Sequence, residues 1–430
     1  MVEQNKSTLT SRKPTNSYSW LVLLFLSIAM FGNYYVFDSI SLVADQLKTQ
    51  LNFSDLNIGQ MYSYYSIAAI VVLIFGGILV DKWGTKKSAI IFAIICTISG
   101  FLTAFGSNIY IMLTGRFLLG VGSEPLIVAI TVAVAKWFKG KQLSFALGIN
   151  LFLARAGTFA VDNSPSIFHG LYSKGYEGPL LVAALIGMLS LLGILVYAIL
   201  EHRGEKLFVL SEGSKVDKLN LKDFFKFSKS FWYITLLCVT FYSAIFPFRA
   251  FAVKFFMESH NVSREVAGGL ISWLPLAAMI ATPLIGLLVD YIGRRALLMT
   301  FGSILLLPVY LLMGYTNITL YVPVIMMGVA FSLIPAVMWP SVAYIVEEKR
   351  LGSAYALMTL IQQIGMALFP IVIGVANDYS GASATNPEGY NLGMWIFSIL
   401  GVLGLIFAYL LRKAETGPNG HGLERGIKSR

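Results

Sequence analysis

Two residues of opposite charge, Glu124 and Arg155, lie deep inside long apolar runs of the sequence. If these runs form consecutive membrane-spanning helices, a rise of about 1.5 Å per residue places both side chains near mid-depth. Charged side chains are costly at that depth and usually mark function. Two interpretations are open: an ion pair that holds the two helices together, or two opposite charges that line a cavity.

Three further charged residues are placed nearer the outer ends of predicted helices. Asp162 follows Arg155 by seven residues, so the two share one helical face. Asp38, in the first apolar run, lies at a similar depth, and each of these acids either faces the cavity or packs elsewhere. Arg249, in the seventh run, would either balance them or snorkel outward to the interface.

Uncharged polar and aromatic residues complete the candidate set for the cavity. Gln363 follows Arg155 by 208 residues and occupies the matching position of an internal repeat described below. Each aromatic candidate has an alternative place in the interfacial aromatic belt or in ordinary packing. The uncharged candidates are Tyr62, Tyr65, Trp339, Tyr355, Gln362 and Gln363.

The elements that must position these side chains are helices in lipid. The chain has 430 residues, of which 57% are hydrophobic and 13% charged, whereas soluble chains carry about 25% charged residues. A helical span needs roughly 20 apolar residues, and lipid offers no partner for free backbone groups. The sequence predicts an all-α membrane protein with twelve transmembrane helices at 19–44, 59–80, 88–106, 109–135, 142–168, 178–200, 231–257, 265–289, 297–314, 319–345, 352–376 and 391–411.

Basic residues concentrate in the loops that follow even-numbered runs and are sparse in the other loops. Cytoplasmic loops carry such an excess of lysine and arginine, so both termini are predicted to be cytoplasmic. The formal net charge of +10 therefore orients the protein, and we expect no nucleic-acid partner. We expect a plasma (bacterial inner) membrane location and a monomer, and the need for an accessory subunit stays open.

The polar stretches divide the chain into two six-helix bundles joined by a linker. We expect a short interfacial helix at 219–229 within that linker and a disordered tail after Arg412. The predicted domains are a cytoplasmic tail (1–18), an N-terminal six-helix bundle (19–200), a cytoplasmic linker (201–230), a C-terminal six-helix bundle (231–411) and a second cytoplasmic tail (412–430).

A loop pattern repeats after the second and eighth runs, and Asp290 follows Asp81 by 209 residues. Glycine allows close backbone approach at such turns, and parallel six-helix repeats build transporters around a midplane site. A single copy would equally suit an ordinary tight loop with basic residues, but two copies at matching positions argue against that. The repeated residues are Gly77, Asp81, Gly84, Lys86 and Lys87 in the first copy, and Gly286, Asp290, Gly293 and Arg294 in the second.

Other chemistries find no support in the sequence. Cys96 and Cys238 are far apart within apolar runs, so they suggest no disulfide framework. The four histidines are scattered away from mid-membrane, and no metal spacing, nucleotide loop or nucleophile motif occurs. We therefore expect no enzyme activity, no metal and no cofactor.

The repeated Gly-x-x-x-Asp-x-x-Gly-basic loops resemble the signature of the major facilitator superfamily. The resemblance implies a two-bundle fold that works by alternating access, with Asp81 and Asp290 in conformational latches rather than in the substrate site. Gly115-Arg116 with Gly120 resembles a second motif of that superfamily, in which the arginine serves gating or coupling. Snorkelling to the outer interface is the alternative for Arg116.

A narrower resemblance concerns the branch that contains the animal lysosomal dipeptide uniporter. It covers most of the first eleven runs and rests on several short matches. These are Gly120-x-Gly122-x-Glu124, Trp137-Phe-Lys-Gly-Lys, Ala154-Arg155-x-Gly157, Phe246-Pro-Phe, Met-Trp339-Pro and Leu351-Gly-x-Ala-Tyr. It implies a bacterial relative that moves dipeptides by uniport, with Glu124 and Arg155 reading the two substrate charges.

The chain also departs from that branch. Pro125 follows Glu124, and the N-terminus lacks an acidic dileucine sorting signal, so lysosomal targeting is not expected. The alternative function is a proton-coupled symporter or exporter of another small organic solute or anion. A non-transporting membrane receptor or scaffold is a third possibility, but it should carry large soluble domains, which this sequence lacks.

Overall fold

The computed structural model describes residues 15–138, 142–208, 227–418 and 420–425. Twelve helices in these residues are long and apolar enough to cross a membrane, which confirms the predicted fold class. They are α1 (Asn16–Leu42), α2 (55–83), α3 (85–104), α4 (Ile109–Phe138), α5 (Leu143–Asp162), α6 (Glu177–Leu207), α7 (Lys229–His260), α8 (Arg264–Val289), α9 (Arg295–Tyr315), α10 (Tyr321–Ile345), α11 (Glu348–Tyr379) and α12 (Pro387–Glu415).

The helices pack as two bundles of six. Helices α1–α6 pack against one another, as do α7–α12, and the halves meet mainly through α2 with α11 and α5 with α8. We call the end of the bundle that holds both chain ends the terminal face, and the opposite end the distal face. A short helix, Ala44–Leu51, lies at the distal face between α1 and α2.

Local sequence explains the sharp start of α2 at the distal face. The Ser54 hydroxyl accepts a hydrogen bond from the Asn57 amide, and the Asn57 side chain accepts one from the Ser54 amide. This reciprocal capping satisfies two backbone donors that a helix start leaves free. The arrangement fixes Asp55, the first residue of α2, at the boundary between the two halves.

Both repeated loops lie at the terminal face, where a reversal of the chain requires unusual backbone angles. Gly84 has φ 76° between α2 and α3, and Gly293 has φ 70° between α8 and α9. Glycine adopts such angles without the steric cost that a Cβ would add. The repeat recognised in the sequence therefore corresponds to two equivalent helix turns, one in each half.

Three predicted boundaries differ from the structure. Helix α5 ends at Asp162 rather than near 168, and the chain continues in two four-residue helices, Ser164–Ile167 and His169–Tyr172. Helix α6 extends to Leu207, beyond the predicted linker start, and α7 begins at Lys229. Almost all of the predicted interfacial helix at 219–229 lies outside the described residues.

The expectation of a disordered tail after Arg412 is wrong for the residues that the structure describes. Helix α12 continues to Glu415, and Leu423 is fully buried. The carbonyl of Leu423 accepts a hydrogen bond from the Arg295 amide, and Glu424 Oε1 accepts from the amides of Ala296 (2.9 Å) and Leu297 (3.3 Å). The tail is ordered because its carboxylate caps the start of α9.

Replacing Glu424 with alanine should loosen the first turn of α9. Loss of a side-chain cap typically costs about 1 kcal/mol, which corresponds to roughly fivefold faster local opening. Hydrogen exchange at the amides of Ala296 and Leu297 measures this. Glu348→Ala, which removes an exposed carboxylate at the same face, is the control, and equal exchange in both variants would contradict the capping role.

Candidate functional site

A polar cavity of about 260 Å³ lies at mid-depth between the two halves. It unites both mid-membrane charges with four of the other predicted residues, Tyr65 from the first half and Trp339, Gln362 and Gln363 from the second. The other nine lining residues were not among the predicted site residues. The lining residues are Asn33, Tyr34, Phe37, Tyr65, Ser123, Glu124, Ile127, Arg155, Tyr242, Phe246, Trp339, Thr359, Gln362, Gln363 and Met366.

Glu124 is held by one donor from each half of the protein. The Tyr65 hydroxyl on α2 donates to Glu124 Oε1 at 3.0 Å, and Gln363 Nε2 on α11 donates to the same oxygen at 3.2 Å. Both donors are neutral. The charge of the Glu124 carboxylate is therefore oriented by hydrogen bonds but not matched by a cation.

Arg155 lies between two aromatic rings. Its guanidinium carbon is 5.5 Å from the Tyr34 ring centre and 5.3 Å from that of Phe331, and such cation–π contacts support a desolvated cation. Arg155 and Glu124 form no salt bridge with each other. The interpretation of a structural ion pair between α4 and α5 is therefore wrong, and both charges line one cavity.

Arg155 also lines a second, apolar cavity of about 500 Å³ toward the terminal face. Helices α5, α8 and α10 enclose it, and its other lining residues include Phe152, Met279 and Pro335. An added Cβ at Gly148 or Gly286 would meet no atom within 4 Å. The cavity, which Gly148 also lines, therefore leaves open space between α5 and α8 beside the cation.

Aromatic residues of the second half build the wall facing Glu124. Trp339 Nε1 donates to the Tyr242 hydroxyl at 3.2 Å, and Tyr242 stacks on Phe246 with ring centres 5.5 Å apart. Tyr355 does not line the central cavity: it stacks on Trp339 and donates to the Trp339 carbonyl at 3.1 Å. Its role is to position Trp339.

Asp38, Asp162 and Arg249 do not line the central cavity and form a separate buried cluster toward the distal face. Arg249 donates to both carboxylate oxygens of Asp162, at 3.0 and 3.1 Å, and lies 3.7 Å from Asp38. The Thr158 hydroxyl donates to Asp38 at 2.8 Å. Outward snorkelling of Arg249 is excluded, because the acids of the first half bind this cation of the second. Asp38 and Arg249 also line a small crevice that contains Arg155, and a role of the cluster in substrate binding stays a prediction.

Arg116 and Tyr62 belong to a further buried contact. Arg116 is 1% exposed, and its guanidinium donates to the carbonyls of Val36, Phe37 and Met61. It lies 5.2 Å from the Tyr62 ring centre. Snorkelling of Arg116 is therefore excluded. Tyr62 lines a small crevice beside Asp38 and Arg249 instead of the central cavity.

Polar contacts join the two halves at the distal face. Lys254 donates to both oxygens of Asp55, at 2.6 and 2.8 Å, and Arg264 binds Asp45 through two hydrogen bonds of 2.6 and 2.7 Å. The Asp378 carboxylate accepts from the amides of Asp55 and Leu56, each at 2.8 Å. These contacts close the distal face. Sequence reasoning did not predict this role of Asp45.

Close backbone approach accompanies these contacts. A Cβ at Gly59 would collide with the Pro370 carbonyl, and one at Gly374 with the Asp55 carbonyl. Helices α2 and α11 therefore touch through glycine near the distal face. A short glycine-mediated contact of this kind had no recognisable signal in the sequence, because the two glycines lie more than 300 residues apart.

The predicted latch residues lie at the terminal face. Gly77 and Asp81 lie near the end of α2, Gly84 lies between α2 and α3, and Lys86 forms an ion pair of 3.2 Å with Glu205 on α6. In the second half, the repeated residues occupy the end of α8 and the turn into α9, and nothing is described of the Asp290 side chain. The second set comprises Gly286, Asp290, Gly293 and Arg294. The last residue of the first set, Lys87, follows Lys86 on α3.

Twelve spans in two bundles around a polar central cavity define a polytopic membrane transporter. Residues 26–251 and 248–428 match the sequence profile of the Major Facilitator Superfamily. The chain belongs to this superfamily and is a transporter rather than an enzyme.

Similar proteins include two named lysosomal dipeptide transporter MFSD1. The Danio rerio protein is 31% identical over 373 residues, covering 84% of this chain and 81% of that protein. The Homo sapiens protein is 30% identical over 416 residues, covering 92% and 87%. A crystal structure of a bacterial homolog of the human lysosomal transporter Spinster, inward-facing and occupied, has the same fold. It aligns with a TM-score of 0.74 at 17% identity, covering 93% of this chain and 98% of that one.

Replacing Lys254 with methionine should open the distal face. Asp55 is fully buried there, and removing the partner of a buried charge costs about 3 kcal/mol or more, a shift of roughly 100-fold in population. Lys48, which is partly exposed and lies 3.3 Å from Asp55, offsets only part of the cost of leaving Asp55 without Lys254. Spin labels at Thr49→Cys and Thr385→Cys, which are exposed in opposite halves, should report longer distances.

The double variant Asp55→Asn/Lys254→Met provides the matched control, because it leaves no uncompensated charge. It should recover much of the short-distance population. Lys349→Met removes an exposed lysine at the terminal face and should leave the distances unchanged. A folded Lys254→Met protein with the original distance distribution would contradict the role of this pair in closing the distal face.

Proposed function

We propose that this protein moves small zwitterionic solutes, specifically dipeptides, across the membrane by alternating access and without a coupled proton. The observation that carries the proposal is the pair of mid-depth charges in the central cavity. Glu124 contacts neutral donors and Arg155 contacts aromatic rings. Neither charge is matched by an ion within the described site, so each is available to a ligand of opposite sign.

The chemistry of the two groups fits the two ends of a peptide. An arginine fork binds a carboxylate through two parallel hydrogen bonds, and a carboxylate accepts from an ammonium group. The names of the MFSD1 relatives support dipeptides as the substrate. We assign the peptide carboxylate to Arg155 and the amino terminus to Glu124, with Tyr65, Trp339, Gln362 and Gln363 lining the space between.

Alternating access requires that the distal contacts break while the terminal face closes. The pairs of Lys254 with Asp55, Arg264 with Asp45, and Arg249 with Asp162 all join the two halves. We propose that the repeated loops containing Asp81 and Asp290 act as latches at the terminal face and do not touch solute. Basic residues at that face support a cytoplasmic location of both termini in a bacterial inner membrane.

The competing function is proton-coupled transport of another small solute, for which Asp38 or Asp162 would titrate. Both acids lie in one cluster with Arg249 and outside the central cavity. We favour uniport because both acids lie outside the solute cavity and, together with Arg249, join the two halves.

Glu124→Gln and Arg155→Ala should each weaken dipeptide binding by roughly 30-fold or more. Removing one charge of a desolvated, hydrogen-bonded pair typically costs about 2–5 kcal/mol, and 1.4 kcal/mol corresponds to tenfold in affinity. Arg155→Lys should recover only part of the loss, because an ammonium cannot reproduce the fork. Ligand-dependent thermal stabilisation of the purified protein measures these affinities.

Blocked peptides test which end each residue binds. N-acetylated dipeptides should bind the wild type weakly, and Glu124→Gln should reduce their affinity little further. C-amidated dipeptides should also bind the wild type weakly, and Arg155→Ala should reduce their affinity little further. Tyr379→Phe, which removes an exposed hydroxyl at the end of α11 and outside the cavity, is a control. Folded charge variants that bind unmodified dipeptides as tightly as the wild type would refute the proposed site.

Uniport predicts that dipeptide uptake into liposomes moves no protons. An internal pH dye should therefore stay constant during uptake of a neutral dipeptide, and an imposed pH gradient should not drive accumulation. Asp38→Asn should change the closure of the distal face but create no change in proton stoichiometry. Peptide-evoked acidification that Asp38→Asn abolishes would instead establish the proton-coupled alternative.

A further inference from the structure

The apolar cavity of about 500 Å³ beside Arg155 offers room for a part of the ligand that the polar central cavity does not suit. Resting on the proposed function, we infer that this cavity binds the side chain of the C-terminal residue of the dipeptide and selects an apolar side chain there. The site then distinguishes the two ends of a peptide by their side chains as well as by their charges.

Arg155 forms the boundary between the two cavities. Among the described residues, it alone lines both. Its guanidinium carbon lies 5.5 Å from the ring centre of Tyr34, which lines the central cavity, and 5.3 Å from that of Phe331, which lines the apolar one. A carboxylate that binds this guanidinium is therefore next to the apolar cavity.

The covalent geometry of a dipeptide decides which of its side chains lies nearer to that cavity. The C-terminal Cα is bonded directly to the carboxylate carbon, so its side chain branches one bond away from the group that Arg155 binds. The N-terminal Cα lies about 3.8 Å further along the peptide, toward Glu124. The C-terminal side chain is therefore the one that starts beside the apolar cavity, and the N-terminal side chain stays in the central cavity.

The lining of the cavity suits an apolar side chain. Gly148, Phe152 and Arg155 are spaced by four and three residues and share one face of α5, so an apolar wall continues directly from the cation. Met279 lines the same cavity from α8, and methionine adapts to neighbours of irregular shape. Moving an apolar side chain from water into such surroundings is favourable in proportion to the area that it buries.

The volume of the cavity admits a large side chain. An apolar cavity of about 150 Å³ is enough to hold benzene, and this cavity is about 500 Å³. Gly148 is exposed, and a Cβ there would meet no atom within 4 Å. The protein's own side chains leave this space unfilled, so an aromatic ring of the ligand fits into it.

The test compares glycyl-phenylalanine with phenylalanyl-glycine. These isomers have the same atoms and the same charges, and they differ only in which residue carries the ring. Affinities are measured by thermal stabilisation of the full-length protein, with glycylglycine as the reference without side chains. We expect the wild type to bind glycyl-phenylalanine at least about fivefold more tightly than phenylalanyl-glycine, because full burial of a phenylalanine side chain accounts for roughly tenfold or more in affinity.

Variants that fill the cavity show whether the ring lies there. Gly148→Phe on α5 and Met279→Trp on α8 should each weaken glycyl-phenylalanine and lower the ratio of the two affinities toward unity, while glycylglycine binds as it does to the wild type. Gly170→Phe adds the same ring at another exposed helical glycine with no atom within 4 Å of a Cβ, outside both cavities, and should leave the ratio unchanged. The wild-type comparison needs no variant, and two filling variants on different helices guard against one that fails to fold.

Each outcome decides the matter. A fall of the ratio in either filling variant supports the inference. A wild-type preference below fivefold would overturn the inference while leaving dipeptide transport intact. A ratio that persists in both filling variants would also overturn it, and would assign the cavity to lipid chains or to movement of α5 against α8. If none of the three peptides stabilises the wild type, the proposed function fails and the inference with it.

Discussion

The cost of an unpaired charge away from water governs this structure. Toward the distal face, the buried charges are satisfied across the interface: Arg249 binds Asp162, and Lys254 binds Asp55. In the central cavity, Glu124 and Arg155 meet only neutral or aromatic groups. Because uncompensated charge is expensive in low dielectric, this contrast separates charges that hold the two halves together from the two charges that we propose bind a ligand.

The same constraint explains how the proposed alternating access can occur without unfolding. In that cycle the distal carboxylates would exchange their cationic partners for water, so each would have a polar partner in both states. Asp378 works in the same way, because it caps the first amides of α2 from the end of α11, and water can replace it. Contacts made of charges and helix ends are therefore reversible, whereas the apolar packing within each bundle stays intact.

Sequence reasoning located Glu124, Arg155 and the repeated loops because depth and spacing follow directly from helical geometry. It left the surroundings of Asp38, Asp162 and Arg249 open, because depth along one helix does not reveal which side chain of the other half lies opposite. Leu423 and Glu424 were missed for a related reason. Their ordering depends on free amides at the start of α9, which a glycine-rich, charged composition does not indicate.

The internal repeat explains the polarity of the site. Arg155 and Gln363 occupy matching positions in the two halves, yet one is a cation and the other a neutral amide. Gln363 donates to Glu124, so an arginine at that position would pair with the carboxylate and neutralise it. The amide orients Glu124 and leaves its charge unmatched. Divergence at one pair of equivalent positions is thus enough to turn a symmetric scaffold into a cavity with an acidic end and a basic end.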